Sequence, residues 1–336
     1  MPPESLGVVV AHDDRDVIEQ IAGVLEAIPD LFVAATSLDE ARAGNVVVAG
    51  GEILFNARHL SHPLVAVACD DPVRTARAAL AAGARELIRW PDESDRLVAA
   101  VRRAASNGHH VTGEGIVIAV AGARGGFGTS TTVAALAAAL GESIVIDLDP
   151  IGRGQRAFAP PGDSRTMDDV LTTLADIDPD ALAANLVAHG ADVRALHASP
   201  TGAQLDVREM NGLLRAVRGC APFTVIDCGR GRSNDASFAA RNADARIVVA
   251  ADDVASIRGA RRLLGDSFHG ARIVLRRERH RGISMRDLVS SFGRPPDAII
   301  PTRRDLARAV DLGCLPKRPL RPVARLAATL REEHGG

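Results

Sequence analysis

Residues 116–121, Ile-Val-Ile-Ala-Val-Ala, form an unbroken run of β-branched and small apolar side chains. The run breaks into glycines at Gly125, Gly126 and Gly128, and an alanine-rich stretch of helical character follows from about Thr131 to Leu140. This reads as a buried strand, a glycine turn and a helix, the context that a phosphate-binding loop requires. The glycines let successive backbone N–H groups point inward, and the helix N-terminus adds partial positive charge. Ser130 stands where the hydroxyl of such a loop would hold Mg²⁺. The lysine that should precede it is missing. Position 129 is threonine, and the only lysine in the chain is Lys317. Such a loop can cradle phosphates but lacks the usual point charge.

At 336 residues the chain has room for two domains of ordinary size. Hydrophobic residues at 46% and charged residues at 24% place it among soluble globular proteins. A formal net charge of −2 gives no global case for nucleic acid or an anionic membrane. Met1-Pro2-Pro3-Glu4 has neither a basic start nor an apolar core, so no signal peptide is expected. No apolar run approaches the ~20 residues that span a bilayer. Cys69, Cys220, Cys228 and Cys314 are scattered without a C-x-x-C pair, which fits a reducing cytoplasm and argues against structural zinc.

From Gly7 to about Ser106 short apolar runs alternate with amphipathic stretches. Strands are expected at 7–11, 31–35, 45–49, 63–68 and 86–90, and helices at 17–28, 72–82 and 93–105. This alternation implies a doubly wound parallel sheet. The stretch resembles a response-regulator receiver domain, a flavodoxin-like fold. Asp13-Asp14 match the acidic pair after its first strand, and residues 82–91, Ala-Gly-Ala-Arg-Glu-Leu-Ile-Arg-Trp-Pro, follow a further receiver pattern. The receiver chemistry is gone: the phosphoacceptor position falls on Ala49-Gly50, the hydroxyl position on Ala68-Cys69, and the lysine position is Trp90. Without a carboxylate nucleophile there is no aspartyl phosphate. Asp13 and Asp14 are read as solvated acids in preference to a cation site, and Trp90 as core in preference to a docking residue. Residues 1–108 are thus expected to form an atypical receiver-like domain, with a turn-like linker at 107–113.

Residues 109–336 carry the phosphate loop and two strands that end in acids. Ser143–Pro150 places Asp147 and Asp149 at alternate positions, which would aim them to one side of a strand. Phe223–Gly229 ends in Asp227. Strand-end aspartates often cap a turn. With the glycine loop upstream they are read instead as groups that approach Mg²⁺ and orient an attacking water.

Together these landmarks resemble the ParA/MinD superfamily, P-loop NTPases with a deviant Walker A motif, from about Ile116 to Pro316. Arg124-Gly125-Gly126-Phe127-Gly128-Thr129-Ser130 lies on that motif, with arginine at the signature-lysine position. The resemblance implies nucleotide contacts at Arg124 through Thr131, an Mg²⁺ site at Ser130, Asp147 and Asp227, and a catalytic role for Asp149. It also places Arg276 at a position where the family has an adenine-contacting Asn, and Pro301 beside the base. A receiver-like domain followed by this altered loop is similar to the CpaE/TadZ localisation factors of Flp/Tad pilus systems and to relatives described as septum site-determining proteins. The implied protein is a cytoplasmic homodimer, recruited to a pole or septum through protein partners of a pilus-secretion or division apparatus. It would bind Mg-ATP weakly and hydrolyse it slowly or not at all. The alternative is an active Mg-ATP-hydrolysing switch, and a weaker one is a DNA-binding partition protein.

That last reading rests on the basic run Arg272, Arg276, Arg277, Arg279, His280 and Arg281. Neutral overall charge and Glu278 within the run favour a solvated loop. Helical spacing at Leu320, Val323, Leu326, Ala327 and Leu330 predicts a C-terminal helix. It lacks bulky aromatics and ends in Glu332-Glu333, so it is expected to pack on its own domain, leaving any membrane association indirect.

Overall fold

A computed structural model describes residues 5–59, 62–105, 115–149, 154–159, 165–189, 192–277, 283–302, 306, 308, 311–314 and 320–334. The chain divides into two units, Met1–His110 with Leu205–Asn211, and Val111–Gln204 with Gly212–Gly336. The expected linker, Pro150, residues 278–282 of the basic run, and Pro316 and Lys317 lie outside the described residues.

The first unit has strands β1 (Leu6–Ala11), β2 (Leu31–Ala35), β3 (Val46–Gly50), β4 (Leu64–Ala68) and β5 (Glu86–Arg89), with helices α1 (Arg15–Glu26), α2 (Pro72–Ala82) and α3 (Leu97–Ala105). All pairings are parallel, in the order β2-β1-β3-β4-β5. That is the flavodoxin-like doubly wound order. Strands β3 and β4 are buried at every position, as their runs of Val and Ala require when helices cover both faces. Helix α2 starts at an Asp71 cap that accepts from Val73 and Arg74 N–H and stops at Gly83 in the left-handed region. Trp90 is core: 6% exposed, with Nε1 donating to Gln20 Oε1 at 3.1 Å.

The second unit contains β6 (Ile116–Gly122), α4 (Thr129–Leu140), β7 (Ser143–Asp147), α5 (Pro179–Asn185), β8 (Val187–Ala188), β9 (Val193–Leu196), β10 (Phe223–Asp227), α7 (Asn234–Asn242), β11 (Ala245–Ala251), α8 (Val254–Leu264), β12 (Arg272–Arg277), α9 (Met285–Phe292), β13 (Ala298–Pro301) and α10 (Arg321–His334). Helix α6 (Val207–Cys220) is divided between the units. The sheet order is β13-β12-β11-β6-β10-β7-β9-β8, parallel throughout except for β8 with β9. Strand β6 lies between β10 and β11, so chain order reverses around it, and the crevice at its carboxyl end is where such sheets bind ligands. Helix α10 packs on α4 and β13 through Val323, Leu326, Ala327 and Leu330. Its apolar stripe is covered within the unit.

Candidate functional site

The glycine loop follows β6. Gly126 and Gly128 adopt φ of 82° and 83°, which side chains with a Cβ resist, and Gly128 caps α4. Gly122 N–H donates to Gly229 O at 2.7 Å and Ala123 N–H to Val249 O at 2.8 Å, so both neighbouring strands anchor the loop. Gly122 must be glycine for space, because a Cβ there would stand 2.1 Å from Thr129 Oγ1.

Above the loop lies a crevice of about 750 Å³. Of the residues read as nucleotide contacts, Arg124, Gly125, Gly126 and Gly128 through Thr131 line it, and so does Asp149. Phe127, Arg276 and Pro301 are not among its lining residues. Phe127 is half-buried beneath Arg124, whose guanidinium carbon is 5.3 Å from the ring centroid. The Arg276 guanidinium carbon is 3.6 Å from where a Gly128 Cβ would be, so it touches the loop from elsewhere. Pro301 is exposed at the end of β13. A larger hollow of about 940 Å³ at the other end of the sheet is lined by Gly115, Ile116 and Arg218. There Arg218 is committed to Asp244 Oδ2 at 2.8 Å and Gly115 O at 2.7 Å.

The acids require a correction. Strand β7 ends at Asp147, so the alternation that would aim Asp147 and Asp149 together does not extend to Asp149. Asp149 is in the following turn, its N–H donating to Asp147 Oδ1 at 2.9 Å. Asp147 instead pairs in register with Asp227 across β7 and β10, and both are buried. Asp227 accepts from Gly229 N–H at 3.0 Å, from Gln155 Nε2 at 2.7 Å and from the Ser130 hydroxyl. Asp147 Oδ2 is buried without a hydrogen-bond partner. Burial, and then the Asp227 charge, push the Asp147 carboxyl well above the usual carboxylate range. Burial raises the Asp227 carboxyl as well, and the donors from Gln155, Ser130 and Gly229 oppose that rise.

Ser130, Asp147 and Asp227 thus come together, but as a set closed by Gln155. Its Nε2 also donates to Ser130 O at 3.0 Å, and its Oε1 faces His189 Nε2 at 3.2 Å. The segment approaches so closely that a Cβ on Gly154 would be 2.1 Å from Ser130 Oγ. Magnesium demands near-octahedral oxygen ligands at about 2.0–2.1 Å. With the amide and Gly154 against Ser130 and Asp227, these residues do not fit that ion. Among the described residues no group of three or more His, Cys, Asp and Glu side chains could hold a metal.

Sequence reasoning passed over Gln155, Arg230 and Arg232. The last two line the crevice from the turn after β10. The signal available for them was their place just beyond the Asp227 strand. For Gln155 there was none, because its partners Asp227 and His189 are 72 and 34 residues away. Of the described residues of the basic run, Arg272 pairs with Glu333, and Arg276 lies against the loop.

A glycine loop between a central parallel strand and a helix, with buried strand-end acids, defines a P-loop NTPase type of domain. Comparison with solved structures gives the particular fold, that of the ParA/MinD ATPases. A ParA family ATPase from Chlorobium tepidum matches with a TM-score of 0.56 at 18% identity, over 64% of this chain and 98% of that one. A chain of the MinC:MinD cell division protein complex of Aquifex aeolicus matches at 0.55 and 21% identity, over 65% and 96%. A Borrelia burgdorferi protein described as a plasmid partition protein, bound to AMPPNP, matches at 0.51 and 15% identity, over 65% and 99%. No family model matches the sequence. An uncharacterized protein from two strains of Mycobacterium tuberculosis is 33% identical over 121 residues, 36% of this chain. That stretch spans only 33% of the relative's length.

Proposed function

We propose that this chain is a positioning protein of the ParA/MinD type whose glycine loop binds nucleotide weakly and hydrolyses it slowly or not at all. The observation that carries this reading is Thr129 at the first position of α4, where the fold's phosphate lysine would stand. Losing one charge-assisted contact lowers affinity by about 1.5–3 kcal/mol. Turnover suffers more, because that charge matters most where charge shifts in the transition state. The first unit is proposed as a pseudo-receiver, supported by its strand order and by Ala49-Gly50 and Ala68-Cys69 at the reactive positions. The two features together support a CpaE/TadZ-like localisation factor acting as a homodimer in the cytoplasm, at a pole or septum. Its partners would belong to a pilus-secretion or division apparatus. A ParA/MinD relative with a protein partner is the Aquifex MinD, found with MinC. Among the described residues no helix is long and apolar enough to cross a membrane.

The second reading, a hydrolysing switch, draws support from Asp149 and Arg124, which both line the crevice. Titrating the purified chain with ATP while following mass by light scattering, and assaying phosphate release in parallel, separates the two. Saturable weak binding without turnover supports the first. Turnover at the rate of an active ParA protein, abolished by Thr129→Val, overturns it.

A further inference from the structure

We propose that the crevice takes the phosphate chain of a nucleotide without a divalent cation, the countercharge coming from Arg124, Arg230 and Arg232. This rests on the nucleotide reading above and names the form of ligand the site accepts.

The charges around the crevice set the problem. A metal-free triphosphate carries several negative charges, and a loop of backbone N–H groups neutralises only part of them. The crevice supplies three guanidinium groups against one carboxylate, Asp149. Arginine is always charged and presents a planar fork of donors that matches phosphate oxygens two at a time. Arg124 also lies 3.7 Å from Asp253, which leaves it partly balanced already. Among the described residues neither Arg230 nor Arg232 forms an ion pair, and both are exposed at the crevice.

Arg230 is held where a loop-bound phosphate would meet it. A Cβ on Gly125 would be 2.8 Å from Arg230 Nη2 and 3.2 Å from its Nε, so the guanidinium lies against the backbone of the loop. The turn that carries it is pinned on both sides. Gly229 and Gly231 adopt φ of 53° and 62°, and a Cβ on them would strike Asp149 and Ala121 respectively. The cation is therefore delivered from the turn after β10 instead of from the helix that follows the loop.

The second half of the proposal concerns the place of the missing ion. The Ser130 hydroxyl, which would face a cation, donates to Asp227. Gln155, fully buried, sets its two amide hydrogens on Ser130 O and Asp227 Oδ2, while its carbonyl is held by His189. A neutral amide does there the bridging that a hydrated ion would do. Admitting the ion requires breaking these three hydrogen bonds and moving a segment packed directly on Ser130.

The test is the binding of a fluorescent ATP analogue to the full chain, once in excess EDTA and once in millimolar Mg²⁺, with thermal melting as the folding control. Wild-type affinity is expected to agree within about threefold in the two buffers. Arg230→Ala should weaken binding in EDTA by about tenfold or more, the loss of one charge-assisted contact, with Arg230→Lys recovering part of it. Gln155→Ala, which uncovers Asp227 and Ser130, should make binding depend on Mg²⁺. Wild-type binding that strengthens tenfold or more with Mg²⁺ overturns this inference while leaving the nucleotide reading intact. Equal affinity for wild type and a folded Arg230→Ala overturns the assignment of the countercharge. Absence of binding in both buffers overturns the nucleotide reading itself, and this inference with it.

Discussion

The two parallel sheets end in opposite ways at their carboxyl edges. In the first unit the edge is filled. A Cβ on Gly50 would be 2.6 Å from the His12 ring, which occupies the space that a phosphoacceptor side chain would need. His12 Nδ1 accepts from Asp14 N–H at 2.9 Å, and Nε2 faces Cys69 Sγ at 3.5 Å. Asp13 accepts from Glu52 N–H, and Asp14 caps α1 by accepting from Asp16 N–H. Burial, followed by the charges of Asp70 and Asp14, raises the Cys69 thiol, so it is a poor nucleophile. In the second unit Asp147 and Asp227 are buried, and an open crevice is lined by the glycine loop and three arginines against the single carboxylate of Asp149. The same architecture therefore carries capped acids at a filled edge in one unit and an open crevice in the other. What differs is whether the strand ends are plugged by their own side chains.

The largest expected effect sharpens this contrast. Asp227→Ala leaves Gln155 Nε2, the Ser130 hydroxyl and Gly229 N–H without their acceptor, and should cost about 3 kcal/mol or more. The loss would appear in the urea transition followed by circular dichroism. Fluorescence of the sole tryptophan, Trp90, should report the first unit with its midpoint unmoved. A shift below 1 kcal/mol would mean that the buried acids are as dispensable as the exposed ones.

A pH dependence comes next. Burial, and then His197, push the His189 pKa down to about 4 from 6.5, so the ring is neutral in the folded chain at neutral pH. Unfolding at pH 5 therefore takes up a proton. This contribution to stability rises with pH through that window and is lost as pH falls from about 6.5 towards 4, at up to about 1.4 kcal/mol per pH unit. Asp147, whose carboxyl burial raises, acts in the opposite sense, so the informative quantity is wild type minus His189→Gln. That difference should fall on acidification, and a flat difference would place the ring in water.

Two reversions test the contrast more finely. Thr129→Lys restores the phosphate lysine to a site whose loop is already formed, and should tighten nucleotide binding by about one to two decades, worth about 1.5–3 kcal/mol. Gly50→Asp places an acid at a position without room for a Cβ, one of the two onto which the phosphoacceptor of the proposed pseudo-receiver falls. It should lower the Trp90-detected midpoint by about 1–3 kcal/mol and yield no phosphorylation by acetyl phosphate. Phosphorylation of a stable Gly50→Asp chain would show that His12 yields. The smallest effect expected is about 1 kcal/mol for Asp14→Ala, the loss of a helix cap, read from the same fluorescence transition.

Much of this was legible in the residue order. The strand at 31–35 and the helix at 72–82 appear with the bounds their patterns predict, because a short β-branched and apolar run and a Pro-started, Gly-stopped helix are local signals. The loop was legible for the same reason, its glycines, Thr129 and Ser130 being contiguous. The alternation of Asp147 and Asp149 misled, since period two holds only while the strand continues, and this one stops at Asp147. Arg276 and Pro301 do not line the crevice, because a position matched to a motif says nothing about which side chains reach it.

By itself, then, the sequence determined an alternating α/β chain, a glycine loop between strand and helix, and the absence of a lysine from that loop. All of these are written in residues within a few positions of one another. Tertiary structure alone decided that Gln155 closes Asp227, that Arg230 lies on Gly125 and that His12 fills the first unit's edge. Those contacts join residues between 38 and 105 positions apart, and their chemistry depends on burial and approach distance. Local pattern carries no record of either.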